Sequence, residues 1–293
     1  MNLEFEKLVE AAPYGAAEAL SPLVRRVLAR NPSPFTFTGT GTYIVGHGTV
    51  AIIDPGPADP EHLDAVAAAV AGETVSHFLI THTHMDHSPG AGPLRARLGG
   101  TIAGCAPLVL RDDGPRADAG FDPGYAPDHV MADGEAVAGP GWTLRAVHTP
   151  GHTSNHLCFA LEEEGALFSG DHVMGWSTTV VAPPDGDMAD YMASLAKLMG
   201  RSDVCYYPTH GAPVDEPQRL VKGMIAHRRQ RETQILAQLA QGPRAIPAMV
   251  EQMYAAIDRR LWPAAGRSVL AHLIDLEARG RVRRAGDDWQ VAA

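Results

Sequence analysis

Thr81-His82-Thr83-His84-Met85-Asp86-His87 follows the apolar run Phe78-Leu79-Ile80 and sets three imidazoles and a carboxylate within six positions. Neutral imidazole and carboxylate are ligands for zinc and similar divalent ions. The apolar run reads as a strand ending in a loop, the place where layered α/β folds put their sites. Residues two apart in an extended chain face the same way, so His82 and His84 can share one ion. Asp86 and His87 fall where the chain turns and point elsewhere, which suggests a second ion.

Upstream, Phe35–Thr38, Thr42–Val45 and Val50–Asp54 read as strands of a meander, with Gly46-His47-Gly48 as a tight turn that accounts for His47. The stretch from Leu20 to Arg30 reads as loop or short helix. Asp59-Pro60-Glu61 carries a cap, a first-turn proline and an acid at the positive end, so it opens a helix that stops at Gly72. A strand from Val75 then delivers the histidine run, followed by a helix from Pro93 to Leu98 and a strand at Thr101–Gly104. This alternation reads as αβ layering. Residues 111–128, rich in Asp, Gly and Pro, read as a long excursion beside the site, in which His129 at the end is structural or solvated.

Downstream, three more strands end on a candidate ligand. Trp142–His148 leads to His152, Ala166–His172 contains Asp171 at its end, and Val204–Pro208 leads to His210. His156–Leu161 is the strand between, and Asp187 or Asp190 caps a helix that runs to Met199. Helical periodicity then covers Glu216–Ala240, Ile246–Ile257 and Ala265–Ala278, and a small hairpin spans Arg281 to Val291. Helix, helix, helix, hairpin is the plan of a winged-helix unit.

The 293 residues carry a net charge of −10, unevenly spread. Residues 1–218 hold 11 Lys/Arg against 27 Asp/Glu, and residues 219–293 hold 13 against 7. The reversal argues for two domains, 1–218 and 219–293, and keeps an acidic partner open for the second. The three cysteines are odd in number and far apart, which excludes a disulfide framework as the basis of the fold and points to a cytoplasmic setting. The acidic N-terminal residues do not read as a secretory signal. No apolar run approaches the ~18 residues of a membrane span.

His82-Thr83-His84-Met85-Asp86-His87, Thr149-Pro150-Gly151-His152-Thr153, Phe168-Ser169-Gly170-Asp171 and Thr209-His210-Gly211, in this order and at these strand ends, resemble the signature of the metallo-β-lactamase superfamily. Ser88-Pro89-Gly90-Ala91, Gly175–Val180, Asp190–Leu195, His227–Glu232 and the helical tail resemble its lactamase-beta-like 2 group, over roughly residues 30 to 285. The resemblance implies a four-layer αββα sandwich with a C-terminal winged-helix-like helical domain. It implies a first zinc on His82, His84 and His152, a second on Asp86, His87 and His210, and Asp171 bridging, with Mn2+ or Fe2+ also suited to the donors. Two such ions share a hydroxide, and Asp86 would ligate and orient it or take its proton. Redox flavoproteins of the superfamily carry a carboxylate where His84 stands, so His84 favours hydrolysis.

Thr178 and Thr179 follow the Asp171 strand and are candidate substrate contacts, and Tyr191 resembles positions where related lactonases bring a phenol to substrate. His227 and Arg231, four apart on one helical face, serve the domain junction or reach substrate. Group members with a described activity cleave single-stranded RNA, and related proteins hydrolyse thioesters of acyl carriers. The basic tail speaks for RNA. Against it, only Arg145 is basic between Asp118 and Ser194, where phosphates would need cations. The sequence favours a binuclear zinc hydrolase of a small ester, thioester or lactone, with a metal-dependent endoribonuclease as the alternative. The partners expected are a small-molecule substrate, RNA in the alternative, and a second copy if the winged helix packs as a dimer.

Overall fold

The computed structural model describes residues 3–109 and 120–292. Two mixed sheets lie in it. The first runs β1 (Ala17–Ala19), β2 (Val24–Leu28), β3 (Gly41–Val45), β4 (Thr49–Ile53), β5 (Thr74–Ile80), β6 (Thr101–Gly104) and β7 (His129–Val130) in spatial as in chain order. It starts as an antiparallel meander and turns parallel from β4 onward. The switch comes from the connections. Antiparallel strands need only a turn, whereas β4–β5 and β5–β6 are bridged by the crossover helices α2 (Pro60–Ala69) and α3 (Ala91–Leu98). The second sheet has β8 (Ala136–Gly139), β9 (Trp142–His148), β10 (Leu157–Leu161) and β11 (Ala166–Gly170) in an antiparallel row. The strand β12 (Cys205–Pro208) then joins parallel to β11 across the helix α4 (Met188–Met199).

Every residue of β3, β10 and β11 is buried, as central strands covered on both faces must be. Between the sheets Tyr43 packs on Phe168 and Tyr207, with ring centroids 5.1 and 5.8 Å away. Buried Trp142 donates its indole N–H to the Thr49 carbonyl at 2.9 Å, which meets the need of an aromatic donor taken out of water. On the outside, α2 buries His62, Leu63 and Val66 against the first sheet. Tyr191, Leu195 and Leu198 of α4 join Val147, Cys158, Leu167 and Tyr206 of the second. Helix, sheet, sheet, helix is the four-layer sandwich expected. Asp59 and Asp187 are the caps that start α2 and α4, each accepting the amide three residues on.

The C-terminal part is built from α5 (Pro217–Leu239), α6 (Ile246–Met253), α7 (Trp262–Ala278) and the hairpin β13 (Val282–Ala285) and β14 (Asp288–Val291). The long α5 belongs to both halves. Its Val221 and Met224 pack on the second sheet, and its Ile235 and Leu239 enter a separate core with Met249, Val269, Leu273 and Trp289. A helix α1 (Leu3–Ala11) precedes the first sheet.

The structure differs from the sequence reading in several places. The stretch read as loop or short helix holds strand β2, whose Val24, Val27 and Leu28 are buried. Arg25 and Arg26 disguise it, because they lie partly buried on Glu73 and Glu18, 2.7 Å away in each case. Phe35–Thr38 is not a strand. Ser33 Oγ accepts the amides of Phe35 and Thr36 at 3.1 and 3.0 Å, and Phe37 has φ +55°, so a side-chain turn displaces the ladder. Helix α6 ends at Met253 rather than Ile257, and α7 starts at Trp262, with Pro263 in its first turn. Of the excursion at 111–128, residues 111–119 lie outside the described residues. The rest returns to the histidine run: Gly120 O accepts from Met85 N and Thr83 O from Asp122 N, at 2.9 and 2.8 Å.

Candidate metal centre

All seven residues singled out as ligands meet at one edge of the two sheets. Strand β5 ends at Ile80 and delivers His82 and His84. The turn before α3 holds Asp86 and His87, the β9–β10 loop holds His152, and Asp171 and His210 follow β11 and β12. His82 and His84, two apart, face the same way: Nε2 of the first lies 2.9 Å from Nδ1 of the second, and Nε2 of His152 is 3.2 Å from that same Nδ1. One donor group comprises His82, His84, His152 and Asp171, and another Asp86, His87 and His210, with the ligand atoms inside each group all within 4.8 Å of one another. Asp171 reaches both. Its carboxylate is 3.7 Å from His152 Nε2, 3.6 Å from His87 Nε2 and 3.3 Å from His210 Nε2.

The rings are held from behind. His152 Nδ1 donates to Val180 O at 2.7 Å and His210 Nδ1 to Gly39 O at 3.2 Å. His87 Nδ1 meets Asp54 Oδ2 at 2.9 Å. Thr81 Oγ1 donates to Asp54 Oδ2 at 2.7 Å, which leaves its lone pair for the His82 Nδ1–H at 3.0 Å. Each of these bonds fixes a proton on the outer nitrogen and points the other nitrogen inward, where a bound ion would take the place of a second proton. Asp86 Oδ2 accepts from Thr40 Oγ1 at 2.9 Å, and Thr40 is fixed in turn by Asn31 at 2.9 Å.

The charges divide as the donor groups do. Burial, with His152 beside it, lowers His84 to about 3, and burial with His87 beside it lowers His82 well below the usual imidazole range. At the second group burial opposes the charged ring, but the carboxylates of Asp171 and Asp86 outweigh it and raise His210 to about 10. His87 is raised likewise by Asp86, Asp171 and Asp54. Asp86 is held well below the carboxylate range, where His87 and His210 overcome the burial penalty.

The donors fit divalent ions on the structure's own terms. His87 Nε2 is buried without a hydrogen-bond partner among the described residues, and Asp171 Oδ1 makes no well-formed bond there, with His210 Nε2 3.3 Å off, an arrangement that is destabilising unless something else satisfies them. A tetrahedral ion at the usual ~2.0–2.1 Å zinc–nitrogen distance holds its donors about 3.4 Å apart. The separations here run from 2.9 to 3.7 Å.

The three candidate substrate residues part company. Thr178 lines the cavity over the donors, together with Phe35, Met174, Trp176 and Val180. Thr179 does not: it is buried and its hydroxyl bonds the carbonyls of Asp171 and His172 at 2.9 and 3.0 Å. Tyr191 does not either. It is wholly buried under the site, its hydroxyl donates to His172 O at 3.2 Å and its ring packs on His172. For Tyr191 this corrects the sequence reading, because α4 turns it into the layer behind Asp171, whereas Thr179 borders the adjoining cavity on the side of α7. His156, expected to face the core, is fully buried and accepts the Asp171 amide at 3.2 Å. Arg231 bonds Met253 O at 3.4 Å and its Nε donates to His227 at 3.3 Å, both within the C-terminal part, and the two residues line a cavity that reaches Thr178.

Sequence reasoning missed Asp54, Thr40 and Thr81, which hold ligands rather than being ligands. Asp54 had a signal: it ends an apolar strand in front of Pro55-Gly56-Pro57, just as Asp171 ends another.

Comparison with known proteins agrees with this geometry. The Metallo-beta-lactamase superfamily model matches residues 36–210, and the Beta-lactamase associated winged helix domain matches residues 245–289. A beta-lactamase-like protein 2 homolog of Drosophila melanogaster is 35% identical over 282 residues, 92% of each chain. An atrochrysone carboxyl ACP thioesterase of Paecilomyces divaricatus is 36% identical over 233 residues, 78% of this chain and 68% of the other. A beta-lactamase domain protein from Burkholderia ambifaria superposes with a TM-score of 0.81 at 22% identity, over 100% of this chain and 99% of that one. With its sandwich, its winged-helix unit and a full set of histidine and aspartate donors, the chain belongs to the metallo-beta-lactamase superfamily and has the makings of a metal-dependent hydrolase.

Proposed function

We propose that the protein hydrolyses thioesters of acyl carriers at a binuclear zinc centre, with His82, His84 and His152 on one ion, Asp86, His87 and His210 on the other, and Asp171 between them. The observation that carries the reading is the meeting of two complete donor groups at one carboxylate, Asp171. Bound ions would supply a water that is nucleophilic near neutral pH and would polarise the acyl oxygen. The chain's own part is to place them and to orient the water. Asp86, ionised and steered by Thr40, presents a carboxylate at the cavity floor that orients the attacking water and holds one of its protons. In the net reaction water adds its oxygen to the acyl carbon, the carbon–sulfur bond breaks, and the products are a carboxylic acid and a thiol.

The thioester is favoured over RNA by two observations. A relative at 36% identity is named as an ACP thioesterase, and the walls above the donors are apolar, with Pro34, Phe35, Met174, Trp176 and Val180. Three free cysteines support a reducing, cytoplasmic setting. No helix among the described residues is long and apolar enough to cross a membrane. The test is a panel of acyl thioesters, a lactone and single-stranded RNA with zinc-loaded protein, alongside metal analysis. Thioester hydrolysis that is lost in Asp86→Asn and His152→Ala, with two ions per chain, is the expected result. RNA cleavage without thioester hydrolysis overturns the thioester reading, and one ion at saturation overturns the binuclear one.

A further inference from the structure

The cavity over the metal donors is small, about 70 Å³, against the roughly 300–1,000 Å³ of ordinary small-molecule sites. It has room for a reacting group and little else. A second cavity of about 280 Å³ adjoins it, and Pro34, Phe35, Ser177, Thr178 and Val180 line both. Its far side comes from the C-terminal part: Tyr254, Ile257, Leu261 and Ala264 make an apolar wall. The junction fixes this chamber in place. Buried Arg228 bonds the Thr179 carbonyl and Ser268 Oγ and lies over the Tyr191 ring.

The chamber also holds a cation that meets no anion among the described residues. Arg231 spreads over the Tyr254 ring with its guanidinium carbon 4.4 Å from the centroid. Its Nε and Nη1 are engaged by His227, Gln234 and Met253 O, and it meets no carboxylate among the described residues. Because Arg231 donates to His227 Nε2, the His227 proton sits on Nδ1, and that buried atom has no acceptor among the described residues. An apolar trough closed by a guanidinium and a ring N–H that, among the described residues, meet no carboxylate and no acceptor is complementary to a hydrocarbon or aromatic chain ending in an anionic oxygen.

We propose that this interdomain chamber receives the acyl group of the substrate, an apolar acyl chain whose far end carries a carboxylate or comparable anionic oxygen met by Arg231. The proposal rests on the thioesterase reading for its chemistry, and the chamber itself can be tested without it. N-acetylcysteamine thioesters of acetic, decanoic and decanedioic acid are to be compared on the zinc-loaded protein. Wild type should prefer the decanedioyl over the decanoyl thioester, and Arg231→Gln should erase that preference, roughly tenfold or more as expected for a charge-assisted hydrogen bond. Arg231→Lys should restore part of it. Ala264→Phe, which fills the trough from α7, should lower the decanoyl-to-acetyl ratio of kcat/KM by at least tenfold. Circular dichroism and zinc content verify that each variant is folded. If thioesters are hydrolysed and neither ratio moves, the chamber is not the acyl site. If no thioester is hydrolysed, the thioesterase reading falls by itself, and calorimetry with decanedioate decides the chamber. Binding weakened in Ala264→Phe and Arg231→Gln upholds it, and equal or absent binding overturns it.

Discussion

Replacing Asp54 by Asn should damage the second metal group and spare most of the first. Asp54 is 1% exposed and has φ +45°, a left-handed conformation that Asn tolerates and most residues do not. The substitution therefore keeps the backbone and the shape. Oδ1 continues to accept Thr81 N, 2.8 Å away. At the other position an NH2 replaces the oxygen that now accepts from His87 Nδ1 at 2.9 Å and from Thr81 Oγ1 at 2.7 Å. Two donors then face each other at His87, so the ring turns its proton to Nε2, the nitrogen that should bind the ion. Thr81 adapts, since its hydroxyl can accept from the new amide and from His82 together. A hydrogen bond to a charged group is worth about 1.5–3 kcal/mol, which places the loss of affinity at the Asp86–His87–His210 group at roughly tenfold to a hundredfold. Zinc titration against a chromophoric chelator resolves the two affinities. A weaker second ion with the first within about threefold is the expected result. Equal weakening of both, or of neither, would refute the assignment of Asp54 as the residue that sets the His87 tautomer.

Three further outcomes are expected from the packing. His62 is buried under the turn at Pro55 and lowered by burial to about 4 from 6.5. Its unfolded form therefore binds more protons between those values, stability falls as pH drops through that window, and at pH ~4.5 the loss is about 2 kcal/mol. Urea melts at pH ~7 and ~4.5 should show that His62→Leu removes this part of the slope, and an unchanged slope would exclude His62 as its source. Gly39 has φ +145°, and a Cβ there would stand 2.0 Å from the Ala29 carbonyl oxygen. Gly39→Ala should cost about 1–3 kcal/mol in a denaturant melt and weaken the second ion through His210 and Thr40, and wild-type behaviour in both would show that the loop does not hold them. Chelation should lower Tm, because an ion at a thousandfold its Kd contributes about 4 kcal/mol, or on the order of 10 °C for a domain of this size. A Tm indifferent to chelator would mean that the donors hold no ion.

The sandwich was legible because its strands announce themselves twice, by an apolar run and by the ligand at its end. Thr74–Ile80 and Ala166–Gly170 are apolar enough to be central strands, and each leads straight into a ligand. Strand β2 hid because its middle is Arg25-Arg26, whose stems lie along the sheet while their ends reach Glu73, Glu18 and the Gly211 carbonyl. Residues 35–38 mislead in the opposite direction. Phe, Thr, Phe, Thr has strand composition, but Ser33 just ahead of the stretch captures the amides that a ladder would need.

At the site, ligands and their supports obey different rules of visibility. A metal ligand must be His, Asp, Glu or Cys, and its neighbours in sequence betray it when several ligands share one strand end. A residue that holds a ligand has only to offer a donor or acceptor at the right place, and many residue types can do so, the backbone included. Val180 O and Gly39 O orient His152 and His210 without leaving any trace in composition. Thr40 lies 46 residues from the Asp86 it steers. Tyr191 shows the converse: a phenol at a suggestive place in the chain reads towards the substrate, yet the pitch of α4 sets it between His172 and Arg228. The sequence spells out the set of atoms that can bind an ion. Which nitrogen of each ring does so is decided by contacts such as Asp54 on His87. Those exist only once β4 and β5 lie side by side and the end of β12, in the facing sheet, brings Thr209 to the same carboxylate.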